Sequence, residues 1–134
     1  MKKLLVAIVL MCGISITAIA QQPKAQWVTI KSENLKCWEC KKLLDEYLKR
    51  ANGSMMESGM IQWRYNLIKG ELKVQYYPDR TNPNLIKTVM ANAGFDADEI
   101  KASEESYKIL PPNCKRAADG GGPKKGKPCH IEPQ

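Results

Sequence analysis

Between residues 61 and 76 apolar and polar side chains change places at almost every step, and that alternation constrains the fold more than any other stretch of the chain. Ile61, Trp63, Tyr65 and Leu67 alternate with Gln62, Arg64 and Asn66, and beyond Lys69-Gly70 the residues Leu72, Val74 and Tyr76 alternate with Glu71, Lys73 and Gln75. A period of two with one apolar side predicts two strands covered on one face, and the Lys69-Gly70 turn joins them as a hairpin. Pro78 closes the second strand. A lone hairpin is marginal in water, so something must cover its apolar face.

The flanking sequence supplies that cover. From Cys40 the apolar residues Cys40, Leu43, Leu44, Tyr47, Leu48 and Ala51 recur at helical spacing, and Asn52-Gly53 ends the run. A second helix opens with Asn82 as N-cap and Pro83 at its first position, carries Leu85, Ile86, Val89, Met90 and Ala93 inward, and stops at Gly94. Trp27 to Lys31 is rich in aromatic and β-branched residues and reads as a strand, and Phe95 to Ile100 supplies a last short one. The predicted class is α+β: a ferredoxin-like βαββαβ sandwich, with a four-stranded antiparallel sheet and two helices on one face. Ser103 to Leu110 adds a helical turn or two before Pro111-Pro112 halts it, with Tyr107 and Leu110 packing back on the body.

Three regions are expected. Residues 1–20 read as a signal peptide: Lys2 and Lys3 form a charged start, Leu4 to Met11 an apolar stretch, and Ala18-Ile19-Ala20 a small-residue cleavage motif. An uncleaved membrane anchor is the alternative, and a lipid on Cys12 fits less well because bulky Met11 precedes it. Residues 27–110 form the folded domain with a short extension. Residues 111–134, rich in Gly, Lys and Pro, have little to bury and read as a flexible tail. Export, to the periplasm of a Gram-negative bacterium, is the expected localisation.

Of the 21 basic residues, Lys2 and Lys3 leave with the signal, so 19 remain against 14 acidic ones, a net of +5. Much of the excess sits in the tail at Lys115, Arg116, Lys124, Lys125 and Lys127, which leaves the body near balance and argues against nucleic acid as a partner. An RNA-recognition domain shares the predicted element order, but its open sheet face needs aromatics where this chain has Glu71, Lys73 and Gln75.

The chemistry sits in the sulfurs. Cys37-Trp38-Glu39-Cys40 straddles the loop after the first strand and the first turn of the first helix. Unsatisfied amides and the helix dipole favour a thiolate there, and Lys36, Lys41 and Lys42 add to that bias. Two thiolates at this spacing reach one soft ion, with Cu(I), Hg(II), Zn(II) or Cd(II) preferred over hard cations. The same placement also suits a thiol-disulfide oxidoreductase, or a structural disulfide. Of Met55, Met56 and Met60, two read as loop and core filler, with thioether ligation of Cu(I) the lesser option for the group. In the tail, Cys114 and Cys129 read as a possible disulfide in an exported protein, and Cys114, Cys129 and His130 as a possible auxiliary metal group.

Three features together resemble the heavy-metal-associated domain, the module of copper chaperones, of metal-transporting ATPase amino-terminal domains and of the periplasmic mercury-binding protein. They are the Cys37-x-x-Cys40 pair before a helix, the hairpin from Tyr65 to Pro78, and Ala93-Gly94-Phe95-Asp96-Ala97 after the second helix. The resemblance implies Cys37 and Cys40 as metal ligands, with Leu35 and Phe95 as the apolar cover of the metal loop. It also implies a metallochaperone that is not an enzyme, a cargo of copper first and mercury or zinc next, a monomer, and a metal-transporting membrane protein or another thiol carrier as partner. This chain has Asn34-Leu35-Lys36 where that family usually has Gly-Met-Thr or Gly-Met-His.

Overall fold

The computed structural model describes Gln21, residues 23–54 and residues 59–134. The expected signal peptide, Cys12, Met55 and Met56 lie outside the described residues, and among those described no helix is long and apolar enough to cross a membrane.

Strand β1 (Gln26–Lys31), helix α1 (Trp38–Ser54), strands β2 (Met60–Asn66) and β3 (Glu71–Tyr76), helix α2 (Pro83–Asn92) and the short helix α3 (Glu104–Lys108) follow one another along the chain. The strands form an antiparallel sheet ordered β1-β3-β2, with Val28 opposite Val74 and Trp63 opposite the same residue from the other side. Ile30, Leu72, Val74 and Tyr76 meet Leu44 and Leu48 of α1 and Ile86 and Met90 of α2 in one buried cluster. The period-two and period-3.6 patterns thus bury their apolar sides against each other. The Asn82 side chain accepts from the Leu85 amide at 3.0 Å, closing the first turn of α2, and Gly94 leaves that helix at φ +96.

The sheet has three strands, not the four expected. Residues 95–100 fold back on themselves through a single bridge between Ala97 and Ile100, with Asp98 at φ +53 between them. After that reversal the segment joins β1 through Asp98: its amide donates to the Lys31 carbonyl at 2.8 Å, and its carboxylate accepts from the Lys31 amide at 2.9 Å. One further departure lies in β2, where a bulge between Met60 and Gln62 flips the parity. Met60 then faces the core, while Ile61 is left 41% exposed.

The expected flexible tail is instead folded onto the body. It makes 3₁₀ turns at Pro112–Cys114 and Ala117–Asp119, and Gly121 and Gly122 are buried. Composition misleads here because the tail is held by bonds to the domain and not by an apolar face of its own.

Candidate functional site

Cys37 accepts the first intrahelical hydrogen bond of α1, from the Lys41 amide at 3.1 Å, so it stands at the N-cap, and Cys40 lies one turn on along the same side. Loop and helix therefore place both sulfurs at one corner of the sandwich, as the spacing predicts. Their exposure differs from expectation. Cys37 is 1% exposed and Cys40 fully buried, and neither is a free thiol. Cys37 is bonded to Cys129 and Cys40 to Cys114, with Cα–Cα separations of 4.6 and 5.4 Å. The anticipated Cys114–Cys129 disulfide is not formed, because each tail cysteine reaches a different member of the helix-start pair.

Hydrogen bonds independent of sulfur hold the tail in this place. The amide of Trp38, one of the orphan donors at the start of α1, donates to the Cys129 carbonyl at 2.6 Å, so the tail caps the helix. Asn34, 1% exposed, donates through Nδ2 to the carbonyls of Gly94 at 3.0 Å and Cys114 at 2.9 Å. Its Oδ1 accepts from the Asp96 amide at 3.0 Å and the Ser32 hydroxyl at 3.2 Å. Asn34 thus ties the loop before α1 to the tail through its amide side chain.

Asp96 continues the clamp. Its carboxylate takes two bonds of 2.6 Å from Arg116 and one of 2.9 Å from the Ala102 amide. Burial alone would raise the Asp96 pKa, but the Arg116 hydrogen bonds, the Ala102 amide and the guanidinium charge outweigh it and hold the carboxyl below its usual range. The guanidinium of Arg116 stacks over Tyr107 at 4.2 Å, and the Tyr107 hydroxyl donates to Asp119 at 2.5 Å. Sequence reasoning placed Arg116 among solvated tail charges and gave Asn34 no role. The pairing of Asp96 with Arg116 carries no local signal, since the two lie 20 residues apart and only the folded chain brings them together.

Leu35 and Phe95 are fully buried in the same cluster as all three of Cys37, Cys40 and Cys114. Cys129 is only partly buried and borders a shallow groove with Trp38, Glu39, Lys42 and Ile131. His130 lines a neighbouring groove with Trp38, Lys41 and Tyr65, while Lys41 lies over the Trp38 ring at 3.9 Å. One turn further along the same face of α1, Asp45 accepts from Trp63 Nε1 at 2.7 Å and pairs with Lys49 at 2.6 Å, fixing the helix to β2. In this oxidised form no group of three or more His, Cys, Asp and Glu side chains among the described residues is placed to hold a metal ion.

One solved structure resembles the chain in part. It is oxidized MerP from Ralstonia metallidurans CH34, at a TM-score of 0.47 and 15% identity, covering 56% of this chain and 96% of that one. No family model and no curated protein sequence matches the chain.

What the corner can do chemically follows from its sulfurs. As two disulfides it has no thiolate lone pairs free for a soft ion and acts as a covalent staple. Opened by a reductant, it leaves the Cys37 and Cys40 thiols at a helix N-terminus, where the local field favours the ionised form that binds soft metals.

Proposed function

We propose that the protein is an exported soft-metal-binding protein with no catalytic step of its own. It captures a thiophilic ion on the thiolates of Cys37 and Cys40 after a reductant opens the two disulfides. The observation that carries this reading is the place of the pair: Cys37 at the N-cap and Cys40 in the first turn of α1, packed in one cluster with Leu35 and Phe95. The Cys-x-x-Cys resemblance to the heavy-metal-associated domain points the same way.

Each opening is a dithiol–disulfide exchange. An external dithiol gives up two electrons and two protons, becomes a disulfide, and leaves two protein thiols. Capture then releases the thiol protons as the ion binds, so affinity rises with pH. Cu(I), Hg(II) or Zn(II) is the cargo class. Handing it on requires a partner thiolate, from a metal-transporting membrane protein or another thiol carrier, to enter the coordination shell.

Two disulfides between distant segments fit an oxidising compartment and support export. The connectivity favours this reading over an oxidoreductase, because a redox-active pair closes a disulfide across itself, whereas Cys37 and Cys40 are bonded to different partners.

The test uses the chain from Gln21 onward, reduced under anaerobic conditions and titrated with Cu(I) and Hg(II) against a competing chelator. One ion per chain bound tightly, abolished by Cys37→Ser and by Cys40→Ser, supports the reading. Absence of binding in the reduced wild type, or unchanged binding in both variants, refutes it.

A further inference from the structure

Half of the sulfur at this corner comes from the tail, and besides the two disulfides a set of hydrogen bonds and an ion pair holds the tail there. The Trp38 amide holds the Cys129 carbonyl, Asn34 holds the Cys114 carbonyl, and Arg116 is locked on Asp96 two residues beyond Cys114. Breaking the two S–S bonds removes none of these, so Cys114 and Cys129 remain beside α1 after reduction. Cys40 and Cys114 are both fully buried, which shields their thiols from solvent and from other ligands.

We propose that the fully reduced protein holds a single divalent thiophilic ion, Zn(II) or Cd(II), in a closed four-sulfur site made by Cys37, Cys40, Cys114 and Cys129. This rests on the reading of Cys37 and Cys40 as metal ligands and extends it to the tail. Four thiolates at about 2.3 Å from a central ion are the usual tetrahedral arrangement of a closed structural site. Cys37 and Cys40 stand three residues apart at the start of α1 and each brings its tail partner within 4.6 and 5.4 Å (Cα–Cα), so all four cysteines gather at that end of the helix, and their side chains must turn from the two disulfides onto one centre. Each disulfide takes two electrons and two protons from a dithiol, and the ion then displaces the four thiol protons. The complex carries two negative charges, and Lys42, which borders the same groove as Cys37 and Cys129, and the start of α1 offset them against the nearby Glu39.

The tail thereby changes what the protein selects. A two-sulfur site open to solvent suits near-linear Cu(I) or Hg(II), whereas a closed four-sulfur site favours ions that accept tetrahedral coordination. The same four residues then alternate between two disulfides in an oxidising medium and one metal site in a reducing one.

The experiment is anaerobic titration of the reduced chain from Gln21 onward with Co(II), followed by displacement with Zn(II) and Cd(II). The expected result is one Co(II) per chain with the intense visible bands of tetrahedral tetrathiolate coordination, displaced by one equivalent of Zn(II). The Cys114→Ser/Cys129→Ser double variant is expected to lose that spectrum and to bind Zn(II) at least about 100-fold more weakly, since a supporting residue alone is worth 10–100-fold. Because that variant could fold poorly, Cys129→Ser alone provides a second check. Cys129 is only partly buried, so the change disturbs the core least, and the tetrathiolate bands are expected to give way to those of three-sulfur coordination; unchanged bands in Cys129→Ser also overturn the proposal. A two-sulfur or solvent-ligated Co(II) spectrum in the wild type, or wild-type Zn(II) affinity in the double variant, overturns the proposal. If the wild type binds Cu(I) or Hg(II) through Cys37 and Cys40 but gives no tetrathiolate spectrum, only the four-sulfur site falls. If it binds no soft ion, the capture reading falls with it.

Discussion

Asn34→Ala tests how much of the tail's attachment is independent of sulfur. The Asn34 side chain is 1% exposed and makes four hydrogen bonds, two donated to the Gly94 and Cys114 carbonyls and two accepted from the Asp96 amide and the Ser32 hydroxyl. Alanine keeps the backbone but leaves two carbonyls and one amide buried without that partner. Each such group costs about 1–3 kcal/mol. Ser32 can turn its hydroxyl elsewhere, and water entering the vacated space relieves part of the rest, so the expected loss is about 3–5 kcal/mol. That is a large share of the roughly 5–15 kcal/mol that holds a domain of this size. The assay is urea unfolding of the oxidised protein followed by tryptophan fluorescence. With a slope of about 2 kcal/mol/M, the midpoint falls by about 1.5–2.5 M. Glu33→Ala is the control: its neighbour Lys101 is 3.7 Å away and both side chains are 67% exposed, so little change is expected. An Asn34→Ala protein within about 1 kcal/mol of wild type would refute the idea that this amide ties the loop before α1 to the tail.

The two disulfides are expected to open in order. Cys129 is partly buried beside an open groove, whereas Cys40 and Cys114 are fully enclosed, so limiting phosphine followed by alkylation labels Cys37 and Cys129 first; equal labelling of all four contradicts this. Acid is expected to weaken the clamp. The folded pKa of Asp96 lies below its unfolded value near ~3.9, so its contribution is complete above that value and is lost as pH falls through the folded one. The stability gap between wild type and Asp96→Asn therefore narrows as pH drops below about 4, and parallel pH profiles for the two proteins would count against it.

The elements were legible because each has its own periodicity. The alternation from Trp63 to Tyr76, the helical stripe through Leu44 and Leu48, and the Asn82-Pro83 start all describe residues whose partners are fixed by local geometry. The expected fourth strand failed on one backbone angle: Asp98 at φ +53 turns the chain away from β1, and aspartate is among the few side chains that accept that region without announcing it in the sequence. Ile61 failed through the bulge, which a period-two pattern does not encode.

At the site, the Cys-x-x-Cys position was readable from the loop-to-helix transition, but its bonding was not. Four cysteines allow three pairings, and the choice depends on where the tail returns. That return is set by Asn34, Asp96, Arg116 and the Trp38 amide, contacts spanning 20 to more than 80 residues of sequence. A tail of lysines and glycines looks unstructured by composition because its anchors are a few directed bonds and not a buried stripe.

Disulfide mapping of the unreduced chain tests the central claim most directly. Cleavage after Lys36 and Lys41 leaves Cys37 and Cys40 on one peptide, with Cys114 on residues 109–115 and Cys129 on residues 126–134. A further cut after Glu39 separates the two helix-start cysteines. The predicted result is two distinct linked pairs, Cys37 with residues 126–134 and Cys40 with residues 109–115. A Cys37–Cys40 bridge within one short peptide, accompanied by residues 109–115 joined to 126–134, would contradict the account.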